Sequence, residues 1–198
     1  MNEARETPVR AFVAVPVAEA AARELERLIT RLRSLAAGGP RLRWASRDQL
    51  HVTLRFLGEQ PPEAIDRIRD ALAPIRFAPF DIELTRAGAF PGPGPDRPRT
   101  LWLGGERGAA ELTDLARQVE DALAGAGIPR EGRPFRPHLT LARGNGASLP
   151  EPLREALKKI PALRWRCEGF ALMRSRLTPG GAVYTKLYNY STIGTTYD

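Results

Sequence analysis

Cysteine, lysine, histidine and long apolar runs are all scarce in this chain of 198 residues. The single cysteine, Cys167, excludes a disulfide within the chain and fits a reducing compartment, where we expect a buried structural thiol. No stretch approaches the roughly 18 apolar residues of a membrane span. The apolar segment at residues 11–17 follows Glu3 and Glu6 and contains Pro16, which is unlike an export signal. These absences predict a cytoplasmic protein with no membrane partner.

Positive charge is abundant, but almost all of it is arginine. The chain has 30 basic and 23 acidic residues, a net charge of +7, and 27 arginines against 3 lysines. Such a balance is compatible with a polyanionic ligand. Because coding bias also produces an excess of arginine, the total charge does not by itself establish that ligand.

The length and composition are those of a globular protein with ample length for a core. The hydrophobic share is 42% and the charged share 27%. We expect residues 1–198 to form one domain, built as a bilobal unit in which each lobe contributes one copy of a short motif.

That motif contains both histidines of the chain. Residues 51–54 read H-V-T-L and residues 138–141 read H-L-T-L, so each histidine opens an H-x-T-L tetrapeptide. The two copies begin 87 residues apart, and an internal repeat explains them better than chance placement.

The residue pattern of each copy predicts a β-strand. The two aliphatic residues alternate with the histidine and the threonine, and successive strand side chains point to opposite faces. The aliphatic pair can then enter a core while an imidazole and a hydroxyl stand about 6.5 to 7 Å apart on the other face. If the two strands meet across a pseudo-twofold axis, two such pairs converge on one small volume.

This set of groups suits chemistry at a tetrahedral phosphorus. In-line displacement needs a base on the entering water and an acid on the leaving oxygen, and two histidines can supply both near neutral pH. We therefore predict His51 and His138 as acid and base. The hydroxyls of Thr53 and Thr140 would donate to the non-bridging oxygens, where charge builds up. A lone histidine of this kind is usually an ordinary hydrogen-bonded residue, and the duplication favours the catalytic interpretation.

The wider sequence around both copies resembles a known family. Residues 50–59 (L-H-V-T-L-R-F-L-G-E) and 133–143 (R-P-F-R-P-H-L-T-L-A-R) are similar to the paired signature of the 2H phosphoesterases. The F-L-G and R-P-F-R-P portions are more specific to the RNA 2′,3′-cyclic phosphodiesterase branch, once called 2′-5′ RNA ligases. The resemblance extends from Val9 to about Tyr188 and includes residues 101–104, L-W-L-G.

The resemblance implies an activity and a partner. Terminal 2′,3′-cyclic phosphates of RNA, or of a nucleotide, would be hydrolysed to 2′-phosphates. His51 would protonate the departing ribose 3′-oxygen and His138 would activate water, although the symmetry of the site leaves the two roles interchangeable on sequence alone. No cofactor or metal is expected, and we expect a monomer.

Phe56 and Arg143 each stand five positions after a motif histidine. The resemblance places these positions beside the nucleobase, where an aromatic ring stacks and a guanidinium stacks or pairs with phosphate. Strict alternation instead puts Phe56 on the core face, and Arg143 likewise unless its strand bends after Leu141. Plain core packing therefore remains an alternative for Phe56.

Two further arginines flank the motifs. Alternation predicts that Arg55 shares the face of His51, and Arg136 is an additional substrate-binding candidate. For both of them a solvated surface arginine is the simpler interpretation.

The fold class expected is α+β. Periodicity and turn residues predict helices at 18–35, 61–72, 109–124 and 150–160, and strands at 9–15, 42–44, 50–57, 80–90, 100–103, 138–141, 163–177 and 182–190. We predict two antiparallel sheets, related by pseudo-twofold duplication, that face a central cleft with the helices outside. The proline-rich residues 91–98 cannot join a sheet ladder and are predicted to form an exposed loop.

Three other functions remain open. The same site could open another cyclic phosphate or join RNA ends through a 2′-5′ bond, or the chain could be a catalytically silent, basic RNA-binding module. A metal site is a poorer fit, because two histidines without cysteines or a carboxylate cluster make a weak ligand set.

Overall fold

The computed structural model describes residues 7–91, 97–179, 181–192 and 194–196. Its helices are α1 (Glu19–Leu35), α2 (Pro62–Leu72), α3 (Ala109–Gly125) and α4 (Glu151–Leu157), with a 3-10 turn at Arg47–Gln49. Its strands are β1 (Val9–Pro16), β2 (Arg43–Trp44), β3 (His51–Gln60), β4 (Phe80–Leu84), β5 (Arg86–Phe90), β6 (Thr100–Gly104), β7 (Leu139–Arg143), β8 (Leu163–Cys167), β9 (Gly169–Thr178), β10 (Gly181–Ser191) and β11 (Gly194–Thr196). The predicted α+β class is confirmed.

The strands are arranged differently from the prediction. Within the described residues, nine strands form one antiparallel sheet in the order β11-β10-β9-β1-β3-β7-β6-β5, with β2 also paired to β7. Strands β4 and β8 pair separately as a small antiparallel sheet. The expected pair of facing sheets is therefore wrong in this respect, because β3 and β7 are direct neighbours in the large sheet.

Both long predicted strands divide between the two sheets. The strand expected at 80–90 breaks at Thr85, and the strand expected at 163–177 breaks at Glu168. Burial alternates through β4 and through β8 as it would in a continuous strand, so the residue pattern contains no sign of either break.

The helices pack on one face of the large sheet. Leu25 and Leu32 of α1, and Leu115 and Leu123 of α3, are buried in the same core as the aliphatic residues of both motifs. Full burial of such a side chain stabilises the fold by about 1.5 to 3 kcal/mol. The motif histidines and threonines alternate with these aliphatic residues and lie on the opposite face of the sheet.

Helix α3, which packs behind β3, depends on the residue before it. Gly108 has a φ of +82°, and a Cβ there would lie 2.5 Å from the carbonyl oxygen of Asp81. A side chain at this position is therefore strained both by the backbone conformation and by the neighbouring strand.

Some predictions lie beyond what these residues test. Most of the proline-rich loop, residues 92–96, is outside the described ranges, and the division into two duplicated lobes remains a proposal. No helix in the described part of the chain has both the length and the apolar character required to cross a membrane.

Candidate functional site

The two motif histidines meet where β3 and β7 pair. Val52 lies opposite Leu139 in an antiparallel register, so His51 and His138 precede paired residues on strands that run in opposite directions. Residues related in this diagonal way on one sheet face are about 7 to 8 Å apart. The charge of His138 also acts on His51. The structure thus brings together two imidazoles that are far apart in the chain.

The threonines complete a square of functional groups. Continuing the antiparallel register from the central pair places Thr53 across from His138 and Thr140 across from His51. All four side chains are partly buried, whereas the aliphatic residues between them are buried. Each histidine therefore has its own motif's threonine along the strand and the other motif's threonine across the ladder.

Both imidazoles are oriented by a backbone carbonyl two residues earlier. Nδ1 of His51 lies 2.8 Å from the carbonyl oxygen of Gln49, and Nδ1 of His138 lies 2.7 Å from that of Arg136. A carbonyl only accepts, so Nδ1 carries the proton and donates it, which leaves Nε2 of a neutral ring as an acceptor. Nε2 of His51 lies 2.9 Å from Oγ1 of Thr53, whose hydroxyl donates to it.

Burial disfavours the protonated form of both imidazoles in the absence of substrate. Burial, with smaller contributions from the charges of His138 and Arg143, lowers the pKa of His51 from 6.5 to about 4. Burial also lowers the pKa of His138, and Arg143 acts in the same direction. Both rings are therefore neutral at pH 7, and Nε2 is the unprotonated nitrogen of each.

Aromatic rings from two other strands of the large sheet contact His51. The ring of Phe12 on β1 lies 4.9 Å from the imidazole centroid, and that of Tyr184 on β10 lies 5.3 Å from it in an edge orientation. Neither aromatic residue was predicted from the sequence. Their contacts with His51 arise from strand order, which no local pattern reports.

His138 has a matching aromatic support. Phe90 meets it edge-on at 5.0 Å, and Trp102 lies at 6.4 Å. The indole lies over Gly88, where an added Cβ would be 2.2 Å from the ring. Trp102 belongs to the L-W-L-G segment noted in the sequence, and the structure adds that this tryptophan packs beside the second histidine.

A β-bulge changes the direction of side chains in β3. Strand β1 pairs with Thr53 and then with Arg55, so Leu54 has no partner of its own. Phe56 lies opposite Phe12, which contacts His51, and its side chain is 43% exposed. The bulge therefore turns Phe56 onto the histidine face, contrary to strict alternation.

Strand β7 contains a matching β-bulge. Strand β6 pairs with Thr140 and then with Ala142, which leaves Leu141 as the additional residue. Arg143 is consequently exposed, and its guanidinium lies 3.4 Å from the hydroxyl oxygen of Thr100. The bend required to bring Arg143 to the histidine face is present.

Arg55 lies on the opposite face of the sheet from the one that alternation predicts. The bulge sends it to the helix face, where Nε lies 2.7 Å from a carboxylate oxygen of Glu120 and Nη1 3.6 Å from one of Glu131. It also donates to the carbonyl of Pro129. The prediction that Arg55 shares the face of His51 is wrong, and the residue ties β3 to the segment leading to the second motif.

Arg136 has a different contact from the one expected. Its carbonyl orients His138, while its side chain is exposed and forms no ion pair with any described residue. Across the described ranges, no cluster of three or more His, Cys, Asp or Glu side chains is arranged to hold a metal ion. Cys167 is buried, as expected, and burial raises the pKa of its thiol to about 12.

Fold and site together define a class of protein: an antiparallel α+β protein whose paired H-x-T strands carry two convergent imidazoles, as in the 2H phosphoesterases. Residues 17–179 match the family model of the 2′-5′ RNA ligase superfamily. The chain belongs to that superfamily, and the resemblance inferred from its motifs is confirmed. The expectation of a phosphodiesterase-family enzyme is confirmed with it.

Curated relatives have consistent names. A protein of Aeropyrum pernix named RNA 2′,3′-cyclic phosphodiesterase is 39% identical over 81% of this chain and 92% of its own length. A protein of the same name from Archaeoglobus fulgidus is 32% identical over 90% of this chain and 98% of its own length.

Solved structures share the fold. A protein described as a phosphoesterase has a TM-score of 0.74 at 28% identity and covers 93% of this chain and 98% of its own. Escherichia coli LigT in complex with 3′-AMP has the same TM-score and coverage at 27% identity. TT0787 of Thermus thermophilus has a TM-score of 0.71 at 33% identity, covering 93% of this chain and 98% of its own.

Proposed function

We propose that this protein hydrolyses terminal 2′,3′-cyclic phosphates of RNA to 2′-phosphates, with His51 and His138 as acid and base and without a metal ion. The observation that carries the proposal is the matched orientation of the two imidazoles. Each donates from Nδ1 to a backbone carbonyl, so Nε2 of each neutral ring is the nitrogen that can take up a proton. The names of the relatives and the nucleotide bound to E. coli LigT support an RNA-like substrate.

The reaction needs one proton taken and one proton given. Nε2 of neutral His138 accepts a proton from water as the water oxygen bonds to phosphorus. The bond from phosphorus to the ribose 3′-oxygen breaks, and Nε2–H of protonated His51 donates to that oxygen. The products are a 2′-phosphate and a free 3′-hydroxyl. The assignment of the two roles follows the family resemblance.

Binding of the substrate favours protonation of one of the two imidazoles. Without a ligand both imidazole pKa values are lowered, chiefly by burial. An anionic phosphate between the rings favours the charged form of an imidazole and raises its pKa. One histidine therefore gains a proton as the cyclic phosphate binds, and the other stays neutral.

The remaining polar groups bind the substrate. Thr53 and Thr140 donate to the non-bridging oxygens, where negative charge increases in the transition state. Phe56 and Arg143, which the two bulges turn onto this face, flank the nucleobase. Arg136 is retained as a further phosphate contact, because its exposed guanidinium is not engaged by any carboxylate in the described ranges.

The test is direct. A nucleoside 2′,3′-cyclic phosphate is incubated with the protein, with and without a strong chelator, and the product isomer is identified. We expect the 2′-monophosphate at the same rate in both conditions. A 3′-monophosphate, or loss of the activity with the chelator, would contradict the proposal. Unchanged substrate that remains bound would instead identify a binding module.

A further inference from the structure

The edge of the site next to Arg143 carries an excess of positive charge. Arg43 on β2 is the direct partner of Arg143 on β7, so the two guanidinium groups belong to the same face of the sheet. Like charges opposite each other on adjacent strands destabilise a sheet. Neither side chain forms an ion pair with a described carboxylate.

Two more arginines adjoin this pair. Nε of Arg97 lies 3.3 Å from the carbonyl oxygen of Gly146, and the backbone carbonyl of Arg99 accepts from the amide of Gly144. Both arginines are exposed and lack an ion pair with any described residue. Arg43, Arg97, Arg99 and Arg143 form what we call the arginine edge.

About half of the other described arginines form ion pairs with carboxylates. Those on α3 and β8, for example, are paired with carboxylates: Arg117 with Asp114 at 2.7 Å and Arg164 with Glu83 at 2.8 Å. An external anion at the Arg43–Arg143 pair would offset the repulsion between the two guanidinium groups.

The arginine edge continues directly from the catalytic groups. Phe90, which contacts His138, pairs with Thr100, and Thr100 pairs with Arg143, which in turn pairs with Arg43. Adjacent strands are about 4.8 Å apart, so this row runs from Phe90 to Arg43 across about three strand spacings, and its Arg143 lies on the strand that His138 precedes. A chain of phosphates starting at the reacting one can follow it.

We propose that the arginine edge binds backbone phosphates of the RNA nucleotides 5′ to the terminal cyclic phosphate, so that the protein prefers oligonucleotides to mononucleotides. The inference depends on the proposed function for the identity of the terminal group. The contact to the upstream backbone is separate and involves Arg43 and Arg99.

The experiment compares two substrates and two matched variants. Arg43→Ala is combined with Arg99→Ala, and Lys186→Ala serves as the control. Lys186 is exposed and forms no ion pair with a described residue, but it faces Met173 on the far side of the site instead of a second cation. KM is measured for a nucleoside 2′,3′-cyclic phosphate and for a short oligonucleotide that ends in the same group.

We expect the double variant to raise KM for the oligonucleotide roughly five- to tenfold and KM for the nucleoside less than about twofold. Its salt dependence should flatten, by about 0.7 in the slope of log K against log salt for each backbone phosphate that is no longer neutralised. Lys186→Ala should change neither the KM values nor the salt dependence. Thermal stability should be unchanged or higher, since a like-charge pair is removed.

Equal losses on both substrates, no loss on either, or an equal effect of Lys186→Ala would overturn the inference. Fluorescence anisotropy with an oligonucleotide ending in a 2′-phosphate repeats the comparison without turnover. If the wild-type protein hydrolyses neither substrate, the proposed function fails. The binding measurement still decides whether the arginine edge holds RNA.

Discussion

The two H-x-T-L strands carry the same chemical groups in different surroundings. In each, a carbonyl two residues before the histidine orients the imidazole, and a bulge after the threonine redirects the side chain five positions after the histidine. The residue four positions after the histidine differs between the copies. It is Arg55, which pairs with Glu120, in the first copy and the buried Ala142 in the second. The candidate catalytic groups match, and the flanking residues differ.

The two imidazoles also differ in their pKa values and in their hydrogen-bond partners. His51 has its pKa lowered to about 4, chiefly by burial, and its Nε2 accepts from Thr53. The pKa of His138 is lowered in the same direction. Two positions that the sequence cannot distinguish therefore have different surroundings in the folded chain. Because burial disfavours the protonated form of His51 in the free protein, its role as the acid depends on the substrate phosphate raising its pKa.

Removal of either imidazole should have the largest effect on activity, and it tests whether both strands contribute to catalysis. His51→Ala and His138→Ala should each reduce kcat for a nucleoside 2′,3′-cyclic phosphate by at least about 10²-fold, as expected when general acid or base catalysis is abolished. The double variant should be little worse than either single one, because the two groups act as a unit.

The roles of acid and base can then be separated with a good leaving group. A nitrophenyl phosphodiester needs little protonation of its leaving oxygen, so His51→Ala should lose much less activity on it than His138→Ala does. The opposite order would reverse the assignment. Equal losses would contradict a division of roles.

The threonines should show a smaller effect. Thr53→Val and Thr140→Val are each expected to lower kcat about 10- to 100-fold, since each removes one donor to the developing charge. Thr53→Val should be the more harmful, because its hydroxyl also contacts His51. Single-turnover rates of the two variants provide the measurement, and a change confined to KM would contradict the role assigned.

The residues after the bulges should affect binding more than chemistry. Phe56→Leu is expected to raise KM about five- to tenfold with little change in kcat, because a stacking surface is removed. Arg143→Gln should raise KM by a similar factor. Steady-state kinetics with purine and pyrimidine cyclic phosphates measure both, and a variant with KM unchanged for every base would exclude that residue from the base site.

The pH dependence gives the smallest and most specific difference. Because the pKa of each imidazole lies below 6.5 in the free protein, the form with one proton on the pair is most populated at acidic pH. We expect kcat/KM to peak below about pH 6.5, and kcat, which reports the substrate complex, to peak at a higher pH.

Arg143 sharpens this test. Its charge lowers the pKa of both imidazoles, so Arg143→Gln should move the kcat/KM maximum upward by a fraction of a pH unit. Phe56→Leu, at the matching position of the other strand, should leave the maximum in place. Equal shifts in both variants would exclude the charge as the cause.

Much of the site follows from local pattern. The two repeats predicted the histidine pair, and alternation correctly separated the aliphatic residues of each motif from its histidine and threonine. That reasoning stops being valid at Leu54, where the bulge begins. From that point the same alternation assigned Arg55 to the wrong face and left Phe56 on the core side.

The residue types needed for two-proton chemistry, and their duplication, were determined by the sequence alone, because short-range alternation depends only on the backbone of a single strand. The tertiary structure decided which strands are neighbours, where the bulges fall and which imidazole is more deeply buried. Register and burial arise from pairing between segments tens of residues apart, and no local pattern contains them. The difference between the two histidines is thus a property of the folded sheet.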